Sequence, residues 1–177
     1  MVNVIFTALG DDRVGLVDAL AHAISSNGGS WTQSQMSRLA NKFAVIAVAT
    51  VPDDRVDTVR SDLDQIESSG LLDITVEVVD DGELAEPSNA ASYHLTLLGQ
   101  DRPGIIRELS HGLAELGAGI DDMSTVSRQA PMSADLLFEV EAVIAVPDGV
   151  DIDDIEESLG SLMTEFTIEI EELVSTV

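Results

Sequence analysis

Hydrophobic and polar residues follow one another in blocks that keep a fixed order along the chain. Val2 to Leu9 is rich in β-branched and aromatic residues and stops at Gly10, the pattern of a strand. Leu16, Leu20 and Ile24 then share one stripe of a helix, which Gly28 and Gly29 end. Trp31 to Leu39 and Phe43 to Val51 read as two strands around "ANK", a gap of hairpin size. Val56, Val59, Leu63 and Ile66 form a second helical stripe, stopped by Gly70. Ile74, Val76 and Val78 alternate with polar neighbours and close the series as a strand.

The same series then runs again. Gly10 and Gly99 stand 89 positions apart, and at that spacing Thr7, Leu9, Asp12, Arg13, Gly15, Leu20, His22 and Gly28 meet Thr96, Leu98, Asp101, Arg102, Gly104, Leu109, His111 and Gly117. Pro52 and Pro147 stand 95 apart, so the second copy carries six more residues; these fall around "RQAPMSAD", a lengthened hairpin connection. Ile152, Ile155, Leu159 and Leu162 repeat the second helical stripe, and Phe166, Ile168 and Ile170 the last strand. The predicted organisation is therefore one unit over residues 1–80, a linker over 81–92 within the stretch "DDGELAEPSNAAS" that begins at Asp80, and a second unit over 93–177.

Strand, helix, strand, strand, helix, strand, taken twice, predicts an α+β protein. Its two ferredoxin-like βαββαβ units would each be a four-stranded antiparallel sheet with two helices on one face. "FAVIAVATV" is apolar at all but Thr50, which predicts that both of its faces are covered. The corresponding "LFEVEAVIAV" keeps Glu139 and Glu141 on one side, so the first unit is expected to be the more covered of the two.

Charge narrows the function. The 177 residues hold 8 Lys+Arg against 33 Asp+Glu, a formal net charge of −25, and Lys42 is the sole lysine. The acids are spread through periodic segments, which predicts a folded protein with a solvated acidic surface, of the kind suited to concentrated salt. An acidic protein of ordinary salt is the alternative. Direct nucleic-acid binding is disfavoured, since no basic stripe is present. There is no cysteine, which excludes disulfides and thiolate chemistry. The opening "MVNVIFTALGDDRVG" does not read as a signal peptide, and the longest apolar run is strand-length, so a cytoplasmic protein without membrane attachment is expected.

The most informative feature is a strand-to-helix corner used twice, "GDDRVGLVDAL" and "GQDRPGIIREL". Asp101 is placed to cap the helix, and Pro103 fits a first turn. Gly104 weakens a helix, and the space it leaves suits a carboxylate approaching the free amides there. Gly10 and Gly99 are expected to turn the strand end through positive φ. A corner serving only as a tight turn is the competing explanation.

With these motifs the chain resembles the ACT domain family, and as two units in tandem it resembles the glycine cleavage system transcriptional repressors. That resemblance implies amino-acid ligands between paired units, held by the first strand-to-helix loop and the start of the second strand. By position it points to Gly99, Gln100, Asp101, Arg102, Pro103 and Gly104, and in the first copy to Gly10, Asp11, Asp12, Arg13, Val14 and Gly15. The family often has asparagine ahead of the second strand; here Ser30 precedes Trp31 and Gly119 precedes Ile120, and Val14 replaces the proline. Asp121 and Asp122, at the start of the second strand and expected beside the presumed ligand corner, are candidates for a ligand ammonium.

His22 and His111 fall on the solvent side of their helices, and His94 opens a strand, so neither zinc nor histidine catalysis is expected. "PDGVDIDDIEE" lacks the glycine a calcium loop requires at its sixth position. Arg13 and Arg102 suit either a ligand carboxylate or one of the many nearby acids. No cofactor is implied. The expected protein is a non-enzymatic regulator that binds a small amino acid and acts through a protein partner. The alternatives are a regulatory subunit of a separate biosynthetic enzyme and an acylphosphatase-like enzyme; the number of chains in the assembly, self-association included, is left open.

Overall fold

A computed structural model describes residues 1–80, 90–130 and 135–173. The first unit runs β1 (Val2–Asp11), α1 (Leu16–Ser25), β2 (Ser30–Leu39), β3 (Lys42–Val51), α2 (Val56–Ser68) and β4 (Leu72–Val79). The second runs β5 (Ala91–Gln100), α3 (Ile105–Glu115), β6 (Gly119–Gln129), β7 (Leu136–Val146), α4 (Ile152–Leu162) and β8 (Phe166–Glu172). Each sheet is antiparallel, in the orders β2-β3-β1-β4 and β6-β7-β5-β8. The α+β class with two ferredoxin-like units is what the pattern predicted. Backbone contacts divide the chain into two compact units, Met1–Glu86 and Pro87–Val177. Most of the expected linker and the middle of the long β6–β7 connection lie outside the described residues; β5 takes in Ala91 and Ser92, which composition had placed in the linker.

Period two in the strands and 3.6 in the helices meet in one core per unit. In the first, Val4, Phe6 and Ala8 of β1 and Phe43, Val45, Ala47 and Ala49 of β3 bury against Leu16, Leu20, Ile24, Val59 and Leu63 of the helices. In the second, Leu95, Leu97, Val140, Ala142 and Ile144 bury against Ile105, Leu109, Leu113, Ile155 and Leu159. Phe6 meets Trp31 edge-on, the ring centres 5.1 Å apart. Burying a leucine or phenylalanine side chain stabilises by about 1.5–3 kcal/mol, so these layers supply most of the driving force.

Three details differ from the pattern. The helices cover one sheet face only, so Ala44 and Ile46 of β3 are exposed, Ile46 by 48%. Within its own unit this strand is covered on one face alone, so the expected cover on the other face falls to the sister unit or to another chain. On the matching face of the second unit Glu141 is exposed, and Glu139 pairs with Arg128 at 2.8 Å. Leu162 at the end of α4 is 47% exposed, and Met163, one position on, is buried in its place. At the end of β4 the alternation slips, leaving Val78 exposed and Val79 buried.

Candidate functional site

Both corners are short loops, residues 12–15 and 101–104, between a central strand and the first helix of each unit. Their backbones coincide: Gly15 has φ 96°, ψ −3° and Gly104 has φ 95°, ψ −1°. A side chain is strained in that left-handed region, which is why the chain has glycine there. Each loop is tied to the facing hairpin through its backbone. The Asp12 amide donates to the Asn41 carbonyl at 2.9 Å, and the Asp101 amide to the Leu136 carbonyl at 2.8 Å.

Several roles expected of corner residues change. Asp101 does not cap α3; Gly104 holds the cap position, and the Asp101 carboxylate accepts a hydrogen bond from the Ser127 hydroxyl at 2.7 Å. Pro103 lies in the turn ahead of the helix, exposed, as is Val14. Gly10 and Gly99 do not adopt positive φ. They answer to close packing: a Cβ on Gly10 would collide with the Leu71 carbonyl, and one on Gly99 with the Phe166 ring.

The helix starts are open to an acceptor. The first intrahelical bonds run from the Ala19 amide to the Gly15 carbonyl at 2.9 Å and from the Glu108 amide to the Gly104 carbonyl at 3.0 Å. The amides of Leu16, Val17 and Asp18, and of Ile105, Ile106 and Arg107, come before those bonds and have no acceptor within the helix. No side chain caps either helix. α4 is built differently, its Asp151 carboxylate accepting from the Asp153 amide at 3.1 Å.

Charged side chains gather at both corners. In the first, Lys42 Nζ lies 2.5 Å from Asp11 and Arg38 Nε lies 3.1 Å from Asp12. The hydrogen bond from Lys42 holds the Asp11 carboxyl below its ordinary range. In the second, Arg102 donates to both Glu108 oxygens, at 2.8 and 2.6 Å, and its Nε lies 3.3 Å from Glu165. Its guanidinium stands 5.3 Å from the centre of the Phe166 ring. That fork lowers the Glu108 pKa and raises that of Arg102. Sequence reasoning did not single out Arg38, Ser127, Glu108 or Glu165; they come from the hairpin and helix packed beside each loop, and Lys42 was marked only by being the sole lysine.

The remaining candidates are elsewhere in their own sheets. β2 runs parallel to β1, so Ser30 pairs across Thr50 at one end while Asp11 pairs with Lys42 at the other. Eight residues of β3 separate those rows, about 27 Å at the rise of a strand. Gly119, Asp121 and Asp122 are likewise remote from Gln100, which corrects the expectation that the two acids flank the corner of their unit. A bulge recurs at Trp31/Gln33 and Ile120/Asp122. His22 and His111 are exposed as expected, and His94 is the fourth residue of β5 and not its first. His22 borders a cleft of about 410 Å³ between α1 and α2, together with Ala19, Asp62 and Ile66. No helix among the described residues is long and apolar enough to cross a membrane.

Comparison with known proteins agrees with this geometry. A crystal structure of a protein of unknown function from Galdieria sulphuraria superposes with TM-score 0.84, at 23% identity over 98% of this chain and 99% of that one. A crystal structure of a candidate glycine cleavage system transcriptional repressor superposes with TM-score 0.73, at 15% identity over 97% of both chains. At such identities the likeness establishes the fold alone, two βαββαβ units in one chain. No curated protein matches the sequence. The ACT domain family model matches residues 3–78 and again 94–172, one βαββαβ unit each. The chain therefore belongs to the ACT domain family, as two such domains in tandem.

Proposed function

We propose that this protein is a non-enzymatic regulator that binds a small amino acid at its strand-to-helix corners and acts through a protein partner. One observation carries the reading. The two helices that begin at the repeated corner lack a side-chain cap and start directly after a left-handed glycine; α2, also without such a cap, continues a 3-10 turn over Asp53–Arg55, and α4 is capped by Asp151. Three free amides and the positive end of a helix dipole make each corner suited to a carboxylate. Residues 10–15 and 99–104 form the proposed sites; Ser30, Gly119, Asp121 and Asp122 are too far from their own corners to be included. The deficit of basic side chains directs any effect on gene expression to a protein contact.

A thermal-shift screen of the common amino acids in molar potassium chloride tests the reading. A ligand at a hundred times its dissociation constant stabilises the folded state by about 2.7 kcal/mol. For a protein of this size that is about 5–10 °C in melting temperature. A melting temperature that no amino acid raises would remove amino-acid binding as the function.

A further inference from the structure

The outer faces of the two sheets, turned away from the helices, differ in charge. In the first unit Phe6 of β1 and Val45 and Ala47 of β3 point into the core, so Thr7 and Ile46, which pair across the sheet, point outward with Gln35 of β2 beside them. The rows on either side, Gln33–Val48–Ile5 and Ser37–Ala44–Leu9, share that face. None of these nine side chains is charged. Ile46 is 48% exposed and Leu9 51%, and Thr7, Ala44 and the three β2 residues are exposed with them. Acids stand at the margins: Asp73 and Glu77 on β4, and Asp11, which Lys42 holds.

The second unit supplies the contrast. By the same pairing its outer face has Glu141 where the first has Ile46, Glu139 where it has Ala44, and Asp122 where it has Gln33. β8 adds Glu169 and Glu171. The fold therefore does not require an uncharged outer face, since the second unit has the same fold with an acidic one. In a chain of net charge −25, nine neighbouring surface positions without a carboxylate need another reason.

The absence of charge selects the occupant. A basic partner has acids to pair with elsewhere on this surface and gains nothing from this face. An acidic partner needs a face without carboxylates, and a second copy of this chain is such a partner. The face also suits itself: Ile46, Leu9 and Ala44 offer apolar contact, and the Gln33 and Gln35 amides both donate and accept hydrogen bonds. A two-fold interface sets one surface against itself and requires that property. We propose that two copies of this chain associate through the outer sheet face of the first unit. Nine positions, about 4.8 Å apart between strands and about 6.8 Å between alternate residues, cover about 300 Å² per copy. A standard interface takes about 800 Å² per partner, so the association is weak and depends on concentration. It strengthens with salt, because screening over about 3 Å at 1 M shields the acids at the margins from one another. The dimer is independent of amino-acid binding, and either can fail without the other.

Sedimentation equilibrium of the full, unliganded chain in molar potassium chloride, from about 1 μM to about 1 mM, covers weak dissociation constants. The mean mass of wild type should rise with concentration from 18.8 kDa toward twice that value. Ile46→Glu and Ala44→Glu give the first unit the residues that the second has at those positions, so both should fold, with melting temperatures near wild type at low concentration. Each should weaken association by about tenfold or more, because the interface then sets like charges against each other. Gln65→Glu adds the same charge on the exposed side of α2 and should keep association within about twofold of wild type. Diluting the salt to about 0.1 M should weaken the wild-type dimer. A wild type that stays at 18.8 kDa throughout overturns the proposal, and a lower melting temperature of Ile46→Glu would then give the face to the second unit of the same chain. A dimer that both β3 variants leave intact uses another surface, and one that Gln65→Glu weakens equally responds to net charge; either result overturns it as well.

Discussion

Glycine occurs at four corner positions for two different reasons, and the sequence reading assigned neither reason to the right pair. A helix-weakening glycine at 15 and 104 drew attention to the corner, but it was read as a gap for a ligand; the structure shows left-handed backbone first and open space second. At 10 and 99 a backbone reason was expected, and the reason is packing. One residue's type does not reveal which constraint selects it, because φ and neighbouring atoms are set by elements far away in sequence. The two packing glycines differ in a way that can be measured. Gly99→Ala should cost about 1–3 kcal/mol by overpacking against Phe166, and adding Phe166→Leu should recover part of it, because a side chain is the obstacle. Gly10→Ala should not be rescued by shortening Leu72, because the Leu71 backbone carbonyl stands in the way. Denaturant midpoints of the five proteins decide this; a Gly99→Ala variant as stable as wild type would contradict the packing account.

Elements were the most legible level, since alternation and helical stripes depend on covered faces and each unit has one. What escaped were features that need a partner strand. The repeated bulge at the start of β2 and β6 exists only against β3 and β7. The β2–β3 hairpin shows a local conflict of the same origin. Ala40 has φ 48° and Asn41 φ 64°, the two positive angles of a type I′ turn, which favours asparagine followed by glycine. Alanine in that region costs about 1–2 kcal/mol. Ala40→Asn combined with Asn41→Gly should stabilise the first unit by about 1 kcal/mol, seen as a melting temperature higher by about 2–4 °C. The backbone carbonyl of residue 41 is kept, so the bond from Asp12 persists. A lower melting temperature would show that the turn has another geometry.

At the scale of the molecule the dominant fact is charge, and it leads to a prediction independent of the site. Thirty-three acids face eight basic side chains, so even complete pairing would leave a surplus equal to the net charge of −25. No charged side chain is buried among the described residues, which puts that surplus at the surface, where its repulsion depends on screening. The Debye length is about 10 Å at 0.1 M ionic strength and about 3 Å at 1 M. In dilute salt each carboxylate is therefore repelled by many others, and in molar salt by its nearest neighbours alone. The unfolded chain spreads the same charges farther apart, so dilution favours unfolding. The few ion pairs, such as Arg102–Glu108, respond in the opposite direction, but exposed pairs contribute at most about 1 kcal/mol each and are too few to reverse the trend. The melting temperature should fall steadily as potassium chloride is diluted from molar to millimolar. Chloride is the salt to use, since sulfate strengthens apolar burial by itself and would imitate the effect. A melting temperature independent of potassium chloride would mean that the acidic surface is no adaptation to concentrated salt.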